Sequence, residues 1–177
     1  SSDQRGAKAR ALQIMIMESS EIVSLLRQEM SGYGSLLALF DEQQGHLWRR
    51  DVEKVLHTAA IIDQQVLEAG QYREARETWL VSFARSHAQP GGSTLRQLLP
   101  FFPADERPML EAFIDEINHL IHRVRRRARQ NHAFMEKMLE LHRELVGGTA
   151  PGSAGAMYAP SGRVAAELVS APSLQQV

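Results

Sequence analysis

The sequence predicts an all-α fold, an elongated antiparallel three-helix bundle of coiled-coil type with a flexible C-terminal tail. Three observations carry that expectation. Proline is absent before Pro90 and again between Pro108 and Pro151, so two long stretches can keep every helical hydrogen bond. Within them apolar residues return every three or four positions, the period of a helix that buries one face. Past Leu145 the chain reads VGGTAPGSAGAMYAPSGR, too rich in glycine, proline and small residues to continue a helix.

Composition narrows the class further. With 177 residues the chain suits one domain and an extension. Hydrophobic residues at 44% and charged residues at 23% are globular proportions, and the formal charge of -1 gives no reason to expect a polyanionic partner. Aromatics make up only 6%, so the core must rest on aliphatic side chains and methionine. The absence of cysteine removes disulfides and thiolate metal sites. No apolar run approaches the roughly 18 residues of a membrane span, and SSDQRG has no apolar signal-peptide segment. A cytoplasmic protein without stable membrane insertion is expected.

Taken in order, residues 1–11 are expected to form a disordered extension and 12–48 the first helix, with Ile22, Leu26, Met30, Tyr33, Leu37, Phe40 and Leu47 on one stripe. Gly32 and Gly34 weaken its middle by roughly 1 kcal/mol each relative to alanine, which suggests a bend near Tyr33. Gly45, Arg49 and Arg50 mark a hairpin, since an unbroken helix from Leu12 to Phe83 would be about 105 Å long and bury its seam poorly. Asp51 is the expected N-cap of a second helix over 52–86, whose seam reads Val52, Val55, Ala59, Ile62, Val66, Ala69, Arg73, Arg76, Leu80 and Phe83. In the linker 87–104, Thr94 and Gln97 have capping-box spacing for a short helical turn that Pro100 stops. Asp105 is expected to cap a third long helix over 105–146, with Pro108 tolerated in its first turn. Its seam runs Phe113, Ile117, Ile121, Val124, Ala128, Asn131, Met135, Met138, His142 and Leu145.

Catalytic and metal chemistry find little support. Asp115, Glu116, His119 and His122 include one Glu-x-x-His, half of a di-iron carboxylate motif, but no second copy exists. Arg123, Arg125, Arg126, Arg127 and Arg129 could meet phosphates, yet on a helix they spread round more than half the circumference, as on a solvated face paired with neighbouring acids. Neither a nucleophilic triad nor a phosphate-cradling glycine loop is assignable, so no enzyme, cofactor or metal is expected.

The end of the third helix is different. Phe134, Met138, Leu141 and Leu145 form one apolar stripe, and Met135, Leu139 and Val146 form a second beside it. Three helices cannot shield so wide a face at a thin bundle's end, and methionine re-packs readily around different guests. Asn131 sits in an inward slot, either fixing register or meeting a partner. Ile14, Met15, Ile16 and Met17 are consecutive and cannot all share one core. The tail holds one large amphipathic anchor, Tyr158, for folding onto a partner.

Together the hairpin Arg50-Asp51, the late Arg76, the stretch NHAFMEKMLELHREL and a tail Y-x-x-x-G, here YAPSG, resemble the FlgN-like family of flagellar export chaperones over roughly Ile22 to Arg163. Two departures stand out: Ile62 where the family tends to have lysine, and a longer linker between the second and third helices. The resemblance implies a chaperone that binds the C-terminal helices of hook-filament junction proteins, FlgK-like and FlgL-like, and delivers them to the flagellar export apparatus. On that basis Asn131, Phe134, Met135, Met138, Leu139, Leu141, Leu145, Tyr158 and Gly162 are the partner-binding candidates, Gly162 permitting a turn beside Tyr158. The competing expectation is a self-associating structural or regulatory coiled-coil protein, a homo-oligomer built through the same stripes.

Overall fold

The computed structural model describes residues 2–147, and the tail residues Tyr158 and Gly162 lie outside them. Its elements are α1 (Ser2–Trp48), α2 (Val52–Ser86), the short α3 (Leu95–Leu98), a single 3₁₀ turn (Leu99–Phe101) and α4 (Arg107–Gly147), with no strand among the described residues. The chain falls into two compact units. One takes residues 2–32 and Ala69–His119, the other Tyr33–Glu68 and 120–147.

α1 begins at Ser2, ahead of the start near Leu12 that the sequence suggests. The reason is local: AKARAL over residues 7–12 is made of strong helix formers, and no proline interrupts it. The helix also passes unbroken through Gly32 and Gly34. At Gly32 the missing side chain has a use, because a Cβ there would stand 3.1 Å from Cδ2 of Tyr72 on α2. A glycine that weakens the isolated helix thus lets a tyrosine lie against its backbone.

In the first unit the same two helices are joined by a buried ion pair. Arg76 Nε donates to Glu29 Oε2 at 2.6 Å and Nη2 to Oε1 at 3.3 Å, with Arg76 only 2% and Glu29 0% exposed. Each carboxylate oxygen therefore meets the guanidinium fork, the geometry that best offsets the desolvation of both charges. Since Glu29 pairs with Arg76 while Gly32 meets Tyr72, α1 and α2 run antiparallel here.

Between α2 and α4 the chain is packed rather than slack. Thr94 and Gln97 close a capping box, with Gln97 N donating to Thr94 Oγ1 at 3.3 Å and Thr94 N to Gln97 Oε1 at 2.8 Å. This orients α3 so that Leu95 and Leu98 are buried, followed by Leu99 and Phe102. The Phe102 ring stacks on Phe83 at 4.7 Å, Phe83 stacks on Trp79 at 4.8 Å, and His87 lies 4.2 Å from Phe83 and 5.1 Å from Phe101. Arg107 fastens the far end, donating from Nε to the Phe102 carbonyl and from Nη2 to that of Pro100. The linker thus forms a clip that holds α2 to the start of α4. α4 itself starts at Arg107 rather than being capped by Asp105. The Pro103 carbonyl accepts from both Glu106 and Arg107, closing a turn over 104–106, and Glu106 becomes the first carbonyl to accept helical amides, those of Met109 and Leu110.

Two left-handed residues end α1 and α2. Arg50 (φ 56°) and Ala88 (φ 55°) occupy the position after each helix that usually holds glycine. Each is closed by the same bond pair: Asp51 N to His46 O with Arg50 N to Leu47 O, and Gln89 N to Ala84 O with Ala88 N to Arg85 O. This is the Schellman arrangement, which satisfies carbonyls that the helix end would leave orphaned.

Two stability measurements follow. Arg76→Met strands a buried carboxylate and is expected to lower the unfolding free energy by about 3–5 kcal/mol in urea titrations, whereas Glu29→Leu combined with Arg76→Met recovers most of the loss. Ala88→Gly relieves a left-handed alanine and is expected to stabilise by about 0.5–1 kcal/mol, read as a higher Tm.

Candidate docking surface

The surface begins with the turn that ends α1. Once Arg50 adopts its left-handed backbone, α2 starts at Val52 under the cap of Asp51, whose Oδ1 accepts from Lys54 N at 3.2 Å while Oδ2 lies 3.1 Å from Lys54 Nζ. The hydrogen bond from the Lys54 side chain, helped by the Lys54 backbone amide, holds the Asp51 carboxyl below its ordinary range. A depressed carboxyl stabilises the fold above its unfolded pKa, and this contribution is lost as pH falls through the folded value. The hairpin cap is thus complete at neutral pH.

In the second unit, four polar contacts set α4 against α1. Arg127 Nε pairs with Asp41 Oδ1 at 2.5 Å and its Nη1 donates to Gln44 Oε1 at 2.8 Å. One turn further on, Asn131 Nδ2 donates to the Phe40 carbonyl at 2.8 Å and to Gln43 Oε1 at 3.0 Å. Next, Phe134 rests on Trp48 with ring centroids 5.0 Å apart. From Asn131 to Phe134 the partners advance along α1 from Phe40 and Gln43 to Trp48, so α4 runs parallel to α1 in this unit.

Trp48 is the last residue of α1, but α4 continues to Gly147, about 20 Å of helix beyond Phe134. Among its residues of described burial Asn131 is the last buried one: from His132 to Leu145 every position is half-buried or exposed. Phe134, Met135, Met138 and Leu139 are half-buried, while Leu141 is 48% and Leu145 79% exposed. At 100° per residue the two stripes together cover about 160° of the helix, wide enough to receive another helix. Trp48, 69% exposed, extends the apolar strip at its inner end.

The structure therefore divides the sequence-derived candidates. Phe134, Met135, Met138, Leu139, Leu141 and Leu145 share one accessible strip. Asn131 does not belong to it. It is 1% exposed and bonded to α1, the inward, register-fixing place that the sequence offered for it beside partner contact. His142 and Leu145, expected in the seam, are exposed because α1 no longer accompanies them. Elsewhere, Arg127 of the arginine cluster is committed to Asp41 and Gln44, and Asp115 of the candidate metal group pairs with Arg96 at 2.6 Å. Ile14, Ile16 and Met17 are exposed on α1.

Sequence reasoning missed Trp48, Gln43 and Glu29. The signal for the last two was present, since Gln43 lies three residues past Phe40 and Glu29 three past Leu26, both on the inward stripe of α1.

The chain matches the sequence model of a family described as FlgN protein over residues 15–166, which include the whole strip together with Tyr158 and Gly162. No curated protein and no solved structure matches it.

Removing the register contact is expected to be costly without touching the strip. Asn131→Ala takes the side-chain donor from the Phe40 carbonyl and leaves the buried Gln43 Oε1 without it, and should lower the unfolding free energy by about 1–3 kcal/mol in chemical denaturation.

Proposed function

Since the chain belongs to the FlgN family, with its role in flagellar export, we propose that it is an export chaperone that receives amphipathic client helices on the exposed end of α4. The clients are the C-terminal helices of hook-filament junction proteins of the FlgK and FlgL kinds, and the loaded chaperone hands them to the export apparatus in the cytoplasm. A single observation carries the proposal: α4 leaves its neighbours behind at Trp48 while its apolar stripe continues to Leu145.

Binding works by helix-in-groove recognition. A junction-protein helix that would otherwise assemble with its own kind has an apolar face in need of cover. Laid along α4, it buries that face against Phe134, Met138, Leu141 and Leu145, with Met135 and Leu139 as a second wall. The two methionines adapt to side chains of different shape, so one strip can accept more than one client. Each apolar side chain fully removed from water contributes about 1.5–3 kcal/mol, and a few together reach the roughly 8 kcal/mol of a micromolar complex once association costs are met. Tyr158 and Gly162 then act from the tail, the tyrosine as an anchor on client or export apparatus. No reaction, cofactor or metal enters the proposal. No helix among the described residues is long and apolar enough to cross a membrane.

Met138→Gln with Leu139→Gln is expected to weaken client binding at least ~100-fold, so that co-purification is lost while the helical circular-dichroism signal is kept. Unchanged client recovery would remove the strip from the mechanism. A chain ending at Val146 separates the tail's share: client retained but export lost assigns the tail to the apparatus, and client lost assigns it to capture.

A further inference from the structure

The seam of α4 holds two polar residues, and among the described residues only one of them has a partner. Asn131 and His142 lie eleven residues apart, about three turns, and therefore on nearly the same line of the helix. Asn131 is enclosed because α1 is still alongside, and its amide is met by the Phe40 carbonyl and by Gln43 Oε1. His142 comes about 12 Å after Phe134, which stands level with the end of α1 at Trp48. It is exposed, and no hydrogen bond or ion pair among the described residues involves it.

Its own helix offers no partner. The neighbours one turn away on either side are Met138, Leu139, Leu145 and Val146, and no other histidine of the chain has apolar residues in all four of those places. His46 and His132 by contrast each reach a glutamate four residues away, Glu42 at 3.4 Å and Glu136 at 3.2 Å. Glu136, Glu140 and Glu144 stand about 120–160° round the helix from His142, behind the strip. α1 and α2 supply none either, since the chain turns from one into the other just past Trp48. The imidazole is thus a hydrogen-bonding group in the middle of an apolar face. Water satisfies it while the strip is bare, and a helix laid along the strip takes that water away.

We propose that the helix received by the strip carries a carboxylate, aspartate or glutamate, within its apolar face, and that His142 is the residue that selects it. This rests on the reading of the strip as the client site and names the chemistry of the client. A carboxylate oxygen accepts from an imidazole N–H in either protonation state of the ring, and with the charged ring the bond is charge-assisted. The same seam already works this way at Asn131, to which Gln43 brings an acceptor oxygen inside apolar surroundings. A wholly apolar helix covers the same area but strands the imidazole, and a lysine in that place repels the protonated ring. His142 thus gives a permissive methionine surface a criterion other than apolarity.

Synthetic amphipathic helices of about 20 residues, long enough to span the strip, test it on the full chain. Three such peptides share one sequence and differ at a single position in the middle of the apolar face, which holds glutamate, glutamine or leucine. In titration calorimetry at about pH 6, where an ordinary imidazole is largely charged, the glutamate peptide is expected to bind about tenfold more tightly than the glutamine one. His142→Leu should erase that preference and turn it towards the leucine peptide, while the circular-dichroism signal stays helical. Equal binding of the glutamate and glutamine peptides to the unaltered chain, or a preference that survives His142→Leu, overturns the proposal. The client reading fails separately. If Met138→Gln with Leu139→Gln releases all three peptides but the unaltered chain does not tell them apart, only the role of His142 is wrong. If the peptides bind that variant as firmly as before, the strip is not their site; if none binds the unaltered chain, the strip and the role of His142 fall together.

Discussion

A difference in length governs this molecule. α1 stops at Trp48 because the chain turns left-handed at Arg50 and reverses into α2, while α4 meets no such turn and runs on to Gly147. Everything proposed about binding depends on those last turns outliving their neighbours. Had α1 extended three turns further, Met138 and Leu139 would be ordinary seam residues and the strip would not exist. The hairpin is thus as much a part of the docking surface as the residues that line it, since its position decides where burial ends.

A length difference has meaning only if the helices cannot slide. Aliphatic seams fix a face but tolerate shifts of a whole heptad, because leucine against leucine is nearly as good one repeat away. Polar contacts are not so forgiving. The Phe40 carbonyl and Gln43 accept Asn131 in one register, Asp41 and Gln44 receive Arg127 in that same register, and a slip would break all of these bonds and strand the enclosed Asn131 and Gln43 away from water. In the other unit Glu29 and Arg76 do the same for α1 and α2, more strictly because both groups are charged and enclosed. The inward polar residues of this chain thus specify alignment more than they add net stability.

Much of this was legible before any coordinates. The threefold and fourfold spacing gave α2 and α4, Asp51 its cap and Thr94 with Gln97 their box, because these signals are local and a helix needs few neighbours to express them. What stayed hidden was of two kinds. Helix starts were misplaced at Ser2 and Arg107, where strong helix formers ahead of the apolar period and a proline turn settle the outcome. Partners were also invisible: period shows that Asn131 points inward, but only three dimensions show that Phe40 and Gln43 await it. The exposed strip lay between these extremes. Its two stripes were readable, yet their freedom depended on where α1 ended.

What such a strip can recognise follows from its backbone. A helix spends its amide and carbonyl groups on itself, so α4 offers a partner side chains alone, unlike a sheet edge that would template any strand. A client must therefore bring its own folded helix and an apolar face of matching width. Recognition by apolar side chains is permissive, and methionines at positions 135 and 138 make it more so. Permissiveness suits a chaperone that holds assembly-prone helices, but an uncovered strip of this kind also invites chance association. Charges on both flanks of the strip supply the restraint. Glu136, Lys137, Arg143 and Glu144 are exposed beyond the two edges of the strip, where they keep the rest of the helix hydrated and confine the apolar surface to one face.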